Sequence, residues 1–199
     1  AALVLTRMQN IQVPDGPQAG PGLRPRDVLG WDDAEIAALL QRSLFDPDVY
    51  GSVRFHHRSV LEYLAAQWFL GLLQQEVSRR RVEALFFREQ YGCQVVTPSL
   101  RGLLPWLAMF DTRILARVQQ VAPEIVFEGG DPLLLPPEVR GAILTDVCKK
   151  LAVGTSDLTP FQYSAIQRFA SPDVSETVRR LILEYQNAST VTVFLMWMV

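Results

Sequence analysis

The feature that most constrains the fold is a short stretch that occurs twice. Pro98-Ser99-Leu100-Arg101-Gly102-Leu103-Leu104-Pro105 and Pro137-Glu138-Val139-Arg140-Gly141-Ala142-Ile143-Leu144 share their Pro, apolar, Arg, Gly and apolar positions. The offset, from 98 to 137, is 39 residues, and a weaker third copy, Pro172-Asp173-Val174 with Val178, stands 35 further on. Proline suits the first position of a helix, where its missing N–H has no intrahelical acceptor to lose. A period near 40 with two helices per unit is the pattern of an α-solenoid, in which each helix pair buries its apolar face on the next. The spacing therefore predicts helix after helix from residue 78. One opens at Thr97-Pro98 and carries Leu100, Leu103, Leu104, Trp106, Leu107 and Phe110. Another is capped by Asp111, and a third runs from Pro137 through Leu151 to a stop at Gly154. Pro123 to Pro136 reads as loop with a helical turn, and further helices are expected near 159–170 and 172–186.

The part before residue 78 has a different texture. Residues 1–13 fit either helix or strand, and Pro14 to Gly22, dense in Pro and Gly, reads as a surface loop. Asp32 with Glu35 three residues on predicts a capped helix that carries Ile36, Leu39, Leu40 and Leu44 inward. Turn chemistry over Asp46–Ser52, between Leu44-Phe45 and Val53-Arg54-Phe55, predicts a small hairpin. Phe55–Trp68 follows and holds both histidines of the chain, His56 and His57. There Ser59 and Glu62 have the spacing of a capping box, and Leu61, Leu64, Trp68 and Leu72 recur at helical spacing. With Ser59 as cap, His57 stands just outside the positive end of a helix dipole, where anions are favoured. The chain divides on this reading into a module over 1–77 and helical repeats over 78–199.

Composition excludes several functions. A formal charge of −2 gives no electrostatic reason to expect nucleic acid or an anionic membrane as partner. Cys93 and Cys148 have no paired spacing for zinc or a disulfide framework, which suits a reducing, cytoplasmic setting. The apolar run Val191–Val199 is far shorter than the roughly 20 residues needed to span a bilayer and reads as a buried helix. Both ends look interrupted, as in a piece of a larger protein. His56, His57 and Glu62 lack the spacing of a metal site, and Ser59 has no nucleophile-elbow glycines around it. No Gly-x-x-x-x-Gly-Lys-[Ser/Thr] occurs, and no self-contained active site is expected.

The run Val53–Ala66 resembles the end of the winged-helix module of STAND-class P-loop ATPases of the NACHT type, whose pattern is close to Phe-x-His-x-Ser/Thr-Phe-x-Glu-Tyr/Phe-Leu-Ala-Ala. Phe55, His57, Ser59, Glu62, Tyr63, Leu64, Ala65 and Ala66 match, and Val60 stands where an aromatic is more usual. Leu44-Phe45-Asp46-Pro47 and Tyr50-Gly51 also resemble the approach to this motif in prokaryotic members. The resemblance is specific over about residues 28–75. It implies a mainly α chain, a partial winged helix with a small β-hairpin followed by a HEAT-like α-solenoid. It also implies that His57 touches the β-phosphate of ADP and helps hold a resting state. The remaining partners would be the ATPase core of the same chain and a protein or ligand on the repeats, in signalling or anti-phage defence. No Walker A lysine or Walker B strand is recognisable, so no cofactor is expected in this segment, and ATP or ADP belongs to the whole protein. The competing expectation is a plain α-solenoid interaction module with no nucleotide role.

Overall fold

The computed structural model describes residues 1–14, 16, 22–155 and 163–198. Among them the chain is mainly helical, with ten α-helices, several 3-10 turns and two small antiparallel sheets. It separates into two compact units, Ala1–Val82 with Pro98–Leu103, and Glu83–Thr97 with Leu104–Val199. The change of unit after Val82 falls a little beyond the expected 77. Of the first repeat copy, Pro98–Leu103 groups with the first unit, and Leu104 and Pro105 with the second.

In the first unit the ambiguous opening stretch is both things in turn. Helix α1 (Ala2–Thr6) is followed by strand β1 (Asn10–Gln12). The expected Pro14–Gly22 loop lies for the most part outside the described residues. Helix α2 (Asp33–Leu40) carries the predicted box: Glu35 N–H donates to Asp32 Oδ1 at 2.8 Å, and Asp32 N–H donates to Glu35 Oε2 at 3.0 Å. Ile36 and Leu40 are buried, but the helix stops before Leu44, which is exposed.

The expected hairpin forms from β2 (Phe45–Pro47) and β3 (Ser52–Phe55), joined through a 3-10 turn in which Tyr50 and Gly51 are left-handed. Strand β1 adds on the other side of β3, so the order is β1-β3-β2, with Asn10 opposite Arg54 and Phe45 opposite Phe55. Leu3, Ile11, Ile36 and Leu40 form the core, with Phe45, Val53, Phe55 and Leu61 packed on it.

Helix α3 (Arg58–Leu73) turns a different face inward from the one expected. Ala65, Ala66, Phe69 and Leu73 are buried, whereas Leu64 and Trp68 are exposed. The helix is apolar on two sides, and the alanine side permits the closer backbone approach.

The second unit begins within helix α4 (Glu76–Phe86) and continues into a hairpin absent from the sequence expectation, β4 (Phe87–Gln90) and β5 (Cys93–Val96). Its two-residue turn, Tyr91-Gly92, has positive φ at both positions, the type I′ geometry that matches strand twist. Arg117 ties the hairpin to helix α6: its guanidinium lies 4.8 Å from the Phe87 ring centroid, 3.0 Å from Glu83 Oε2 and 3.3 Å from Gln94 Oε1.

The helix expected from Pro98 is instead a 3-10 stretch to Leu103 followed by α5 (Leu104–Phe110). Pro105 is the cause, since it has no N–H to donate back to the preceding turn. Asp111 caps α6 (Thr112–Val121) as expected, accepting from the Arg113 and Ile114 amides. Helical turns over Pro123–Phe127 and Pro132–Leu134 precede α7 (Pro137–Ala152), which runs unbroken because Leu144 replaces the proline. Gly154, at φ 71°, follows its end. Then come α8 (Tyr163–Phe169), a turn over Pro172–Val174 with α9 (Ser175–Glu184), and the apolar α10 (Ser189–Met196). The helix expected near 159–170 is described only from Tyr163. Phe127 stacks on Phe169 at 4.3 Å between ring centroids and meets Phe194 edge-on at 5.8 Å.

Arg140 is the buried polar feature of this unit. It donates from Nε to the Leu135 carbonyl at 3.2 Å, from Nη1 to Ser171 Oγ and from Nη2 to Asp173 Oδ2. The second copy of the repeated stretch is thereby fastened to the third. Gly141 marks the same approach: a Cβ there would lie 3.2 Å from Thr177 Oγ1.

Candidate functional site

The start of α3 gathers the residues singled out from sequence, with one correction. The helix begins at Arg58, so His57 itself is the N-cap residue, with extended backbone and no side-chain cap hydrogen bond. Ser59 lies inside the first turn, and Glu62 accepts from Arg58 Nε at 2.8 Å. The Ser59–Glu62 capping box is therefore not formed. The reason is local: Ser59 already has helical backbone, which removes the geometry from which a cap hydroxyl reaches forward.

No acidic residue stands in the first turn of α3, and Arg58 adds a cation at the positive end of the dipole. The first amides of a helix lack intrahelical acceptors. The free amides leave the end of α3 with a partial positive charge, while the Arg58 cation is balanced by Glu62. His57 is exposed there, its ring 4.1 Å from that of His56 and nearly perpendicular to it. His56 is engaged elsewhere, with Nδ1 2.7 Å from Asp46 Oδ2. A carboxylate can only accept, so Nδ1 carries the proton and donates. An exposed imidazole at an uncapped helix start can donate to an anion and cannot by itself break a bond.

A cleft of about 580 Å³ opens beside this end of the helix, within the first unit. His56, Arg58 and Glu62 line it, whereas His57 does not. Glu62 is seated against Gly102: a Cβ on that glycine would lie 2.8 Å from Glu62 Cδ. Arg7 and Arg54 also reach the cleft, and sequence reasoning passed over both. The only hint in the sequence was a cation beside strand-forming residues.

Elsewhere, burial pushes the Cys148 thiol up to about 12, with the Glu184 carboxylate adding to the shift, which leaves it a poor nucleophile near neutrality. Among the described residues no three His, Cys, Asp or Glu side chains converge to hold a metal ion. No helix among them is long and apolar enough to cross a membrane. No family model, curated protein or solved structure matches the chain.

Proposed function

We propose that this chain is the regulatory part of a nucleotide-switched signal-transduction ATPase of the STAND class, NACHT type. In this reading the first unit is the winged-helix module, the second begins a HEAT-like solenoid, and the whole protein serves signalling or defence. The observation that carries it is His57, exposed at an uncapped, electropositive helix start with no acidic residue in the first turn. The order of helix α2, hairpin β2–β3 and helix α3 agrees with a winged helix.

His57 donates a hydrogen bond to the β-phosphate of ADP held by the ATPase core, and nucleotide exchange releases the module. ADP favours the resting state only through contacts it makes better there, and His57 supplies one of them. The chain by itself should bind ADP weakly or not at all. In the protein carrying its ATPase core, His57→Ala removes one hydrogen bond to a charged group. Such a bond contributes about 1.5–3 kcal/mol, so ADP affinity should fall roughly 10- to 100-fold and activity without stimulus should rise. Radiolabelled ADP retention measures this, and wild-type retention together with wild-type activity in the variant excludes the phosphate role.

A second reading, a plain α-solenoid interaction module, is favoured by the Arg140 contacts to Ser171 and Asp173, which join successive copies of the repeat. The reading frame upstream decides between the two: a P-loop there supports the first, and a start codon close to Ala1 supports the second.

A further inference from the structure

We propose that the cleft between α1, β3 and the start of α3 is a binding site for a small amphipathic organic anion, with Arg7 and Arg54 gripping its charged group. The proposal does not depend on the nucleotide reading, because His57 does not line this cleft.

Charge comes first. Three guanidiniums line the cleft, those of Arg7, Arg54 and Arg58, against one carboxylate, Glu62. Glu62 is already committed to Arg58 at 2.8 Å. Arg7 and Arg54 make no ion pair or side-chain hydrogen bond among the described residues. Across the sheet Asn10 and Asp46 stand opposite Arg54 on β1 and β2. Neither is bonded to it: Asp46 Oδ2 lies 2.7 Å from His56 Nδ1, and Asn10 Nδ2 donates to Ser52 Oγ at 3.3 Å. Arg7 occupies a position that favours glycine, the left-handed residue that ends α1, with φ 60° and ψ 22°. In a chain of net charge −2, two cations that make no ion pair among the described residues, on a cleft lined by three arginines and one carboxylate, are a local reversal of sign.

Shape and lining give the rest of the ligand. Leu3, Phe55, Leu61 and Leu103 supply an apolar floor. The volume of about 580 Å³ falls in the range of small-molecule sites, roughly 300–1,000 Å³. Guanidinium forks match carboxylate and phosphate oxygens in pairs, and an apolar floor takes a ring or a short hydrocarbon. The ligand class is therefore a carboxylate or phosphate monoester carrying an apolar body.

Phenyl phosphate, phenylacetate and neutral benzyl alcohol are titrated into the full chain while the arginine Nε–Hε signals are followed by NMR. At least one anion should saturate with shifts at Arg7 and Arg54, and benzyl alcohol should not. Tighter phenyl phosphate assigns a phosphate ester, and tighter phenylacetate assigns a carboxylate. Arg7→Gln and Arg54→Gln should each weaken that anion about tenfold, whereas Arg80→Gln, away from the cleft, leaves it unchanged. Both substituted side chains are exposed, and circular dichroism checks that the variants are folded. The wild-type titration stands even if they are not. The proposal is overturned if neither anion saturates, if benzyl alcohol matches them, or if the Arg7→Gln/Arg54→Gln double variant binds like wild type.

Discussion

Gly102 shows how a single residue carries a contact that no motif announces. Its missing Cβ leaves the space taken by the Glu62 carboxylate, which in turn holds Arg58. Gly102→Ala should push the Glu62 side chain aside and break that ion pair. Because the displaced group is the end of a flexible side chain, the cost belongs at the low end for overpacking, about 1 kcal/mol. Thermal unfolding should show it as a loss of about 2–4 °C, and Glu62→Ala in the same background should remove most of the effect. The glycine was visible in sequence as part of a repeated Arg-Gly pair, but its neighbour 40 residues upstream was not. His57 was legible as a group at a helix start. That it is itself the cap residue was not, since Ser59 and Glu62 have the spacing of a capping box without its backbone geometry.

Among the elements, those set by local chemistry were readable: the Asp32 box of α2, the Asp111 cap of α6, the β2–β3 hairpin and the span of α7. Where two local patterns competed, the sequence was ambiguous. Helix α3 has two apolar faces, and packing chose the alanine side. Pro105 divided what periodicity read as one helix. The β4–β5 hairpin was hidden because its turn is Tyr91-Gly92 and not the stronger Asn-Gly signal.

The join between α7 and the turn before α9 rests on Arg140, and it makes a prediction at this scale. Arg140→Met leaves the Leu135 carbonyl and Ser171 without their donor, which should destabilise the protein by about 1–3 kcal/mol in urea unfolding. The join is also pH-dependent. The Ser171 hydroxyl, and then the Arg140 guanidinium, hold the Asp173 carboxyl below its ordinary range against the opposing effect of burial. A carboxyl depressed in the folded state stabilises it above the unfolded value, near pH 3.9, and loses that contribution as pH falls through the folded value. Unfolding midpoints in urea should therefore drop more steeply below about pH 4 in the wild type than in Asp173→Asn.

For the molecule as a whole, the division into two units shows that sequence repetition and spatial grouping are separate matters. Most of the first copy of the repeated stretch, Pro98–Leu103, groups with the first unit, whereas the second and third copies lie together in the second and are joined through Arg140. Charge has the same lesson, since a nearly neutral composition conceals a cationic cleft. The face that α3 leaves outward has an optical consequence. Trp68 is about half exposed and meets Phe69 edge-on at 5.0 Å between ring centroids. Its indole emission should be red-shifted and readily quenched by acrylamide, and the difference spectrum between wild type and Trp68→Phe isolates it from Trp31, which is also exposed. Any surface that comes to lie on Leu64 and Trp68 moves that emission to the blue, so the chain carries its own fluorophore for the moment this face is covered.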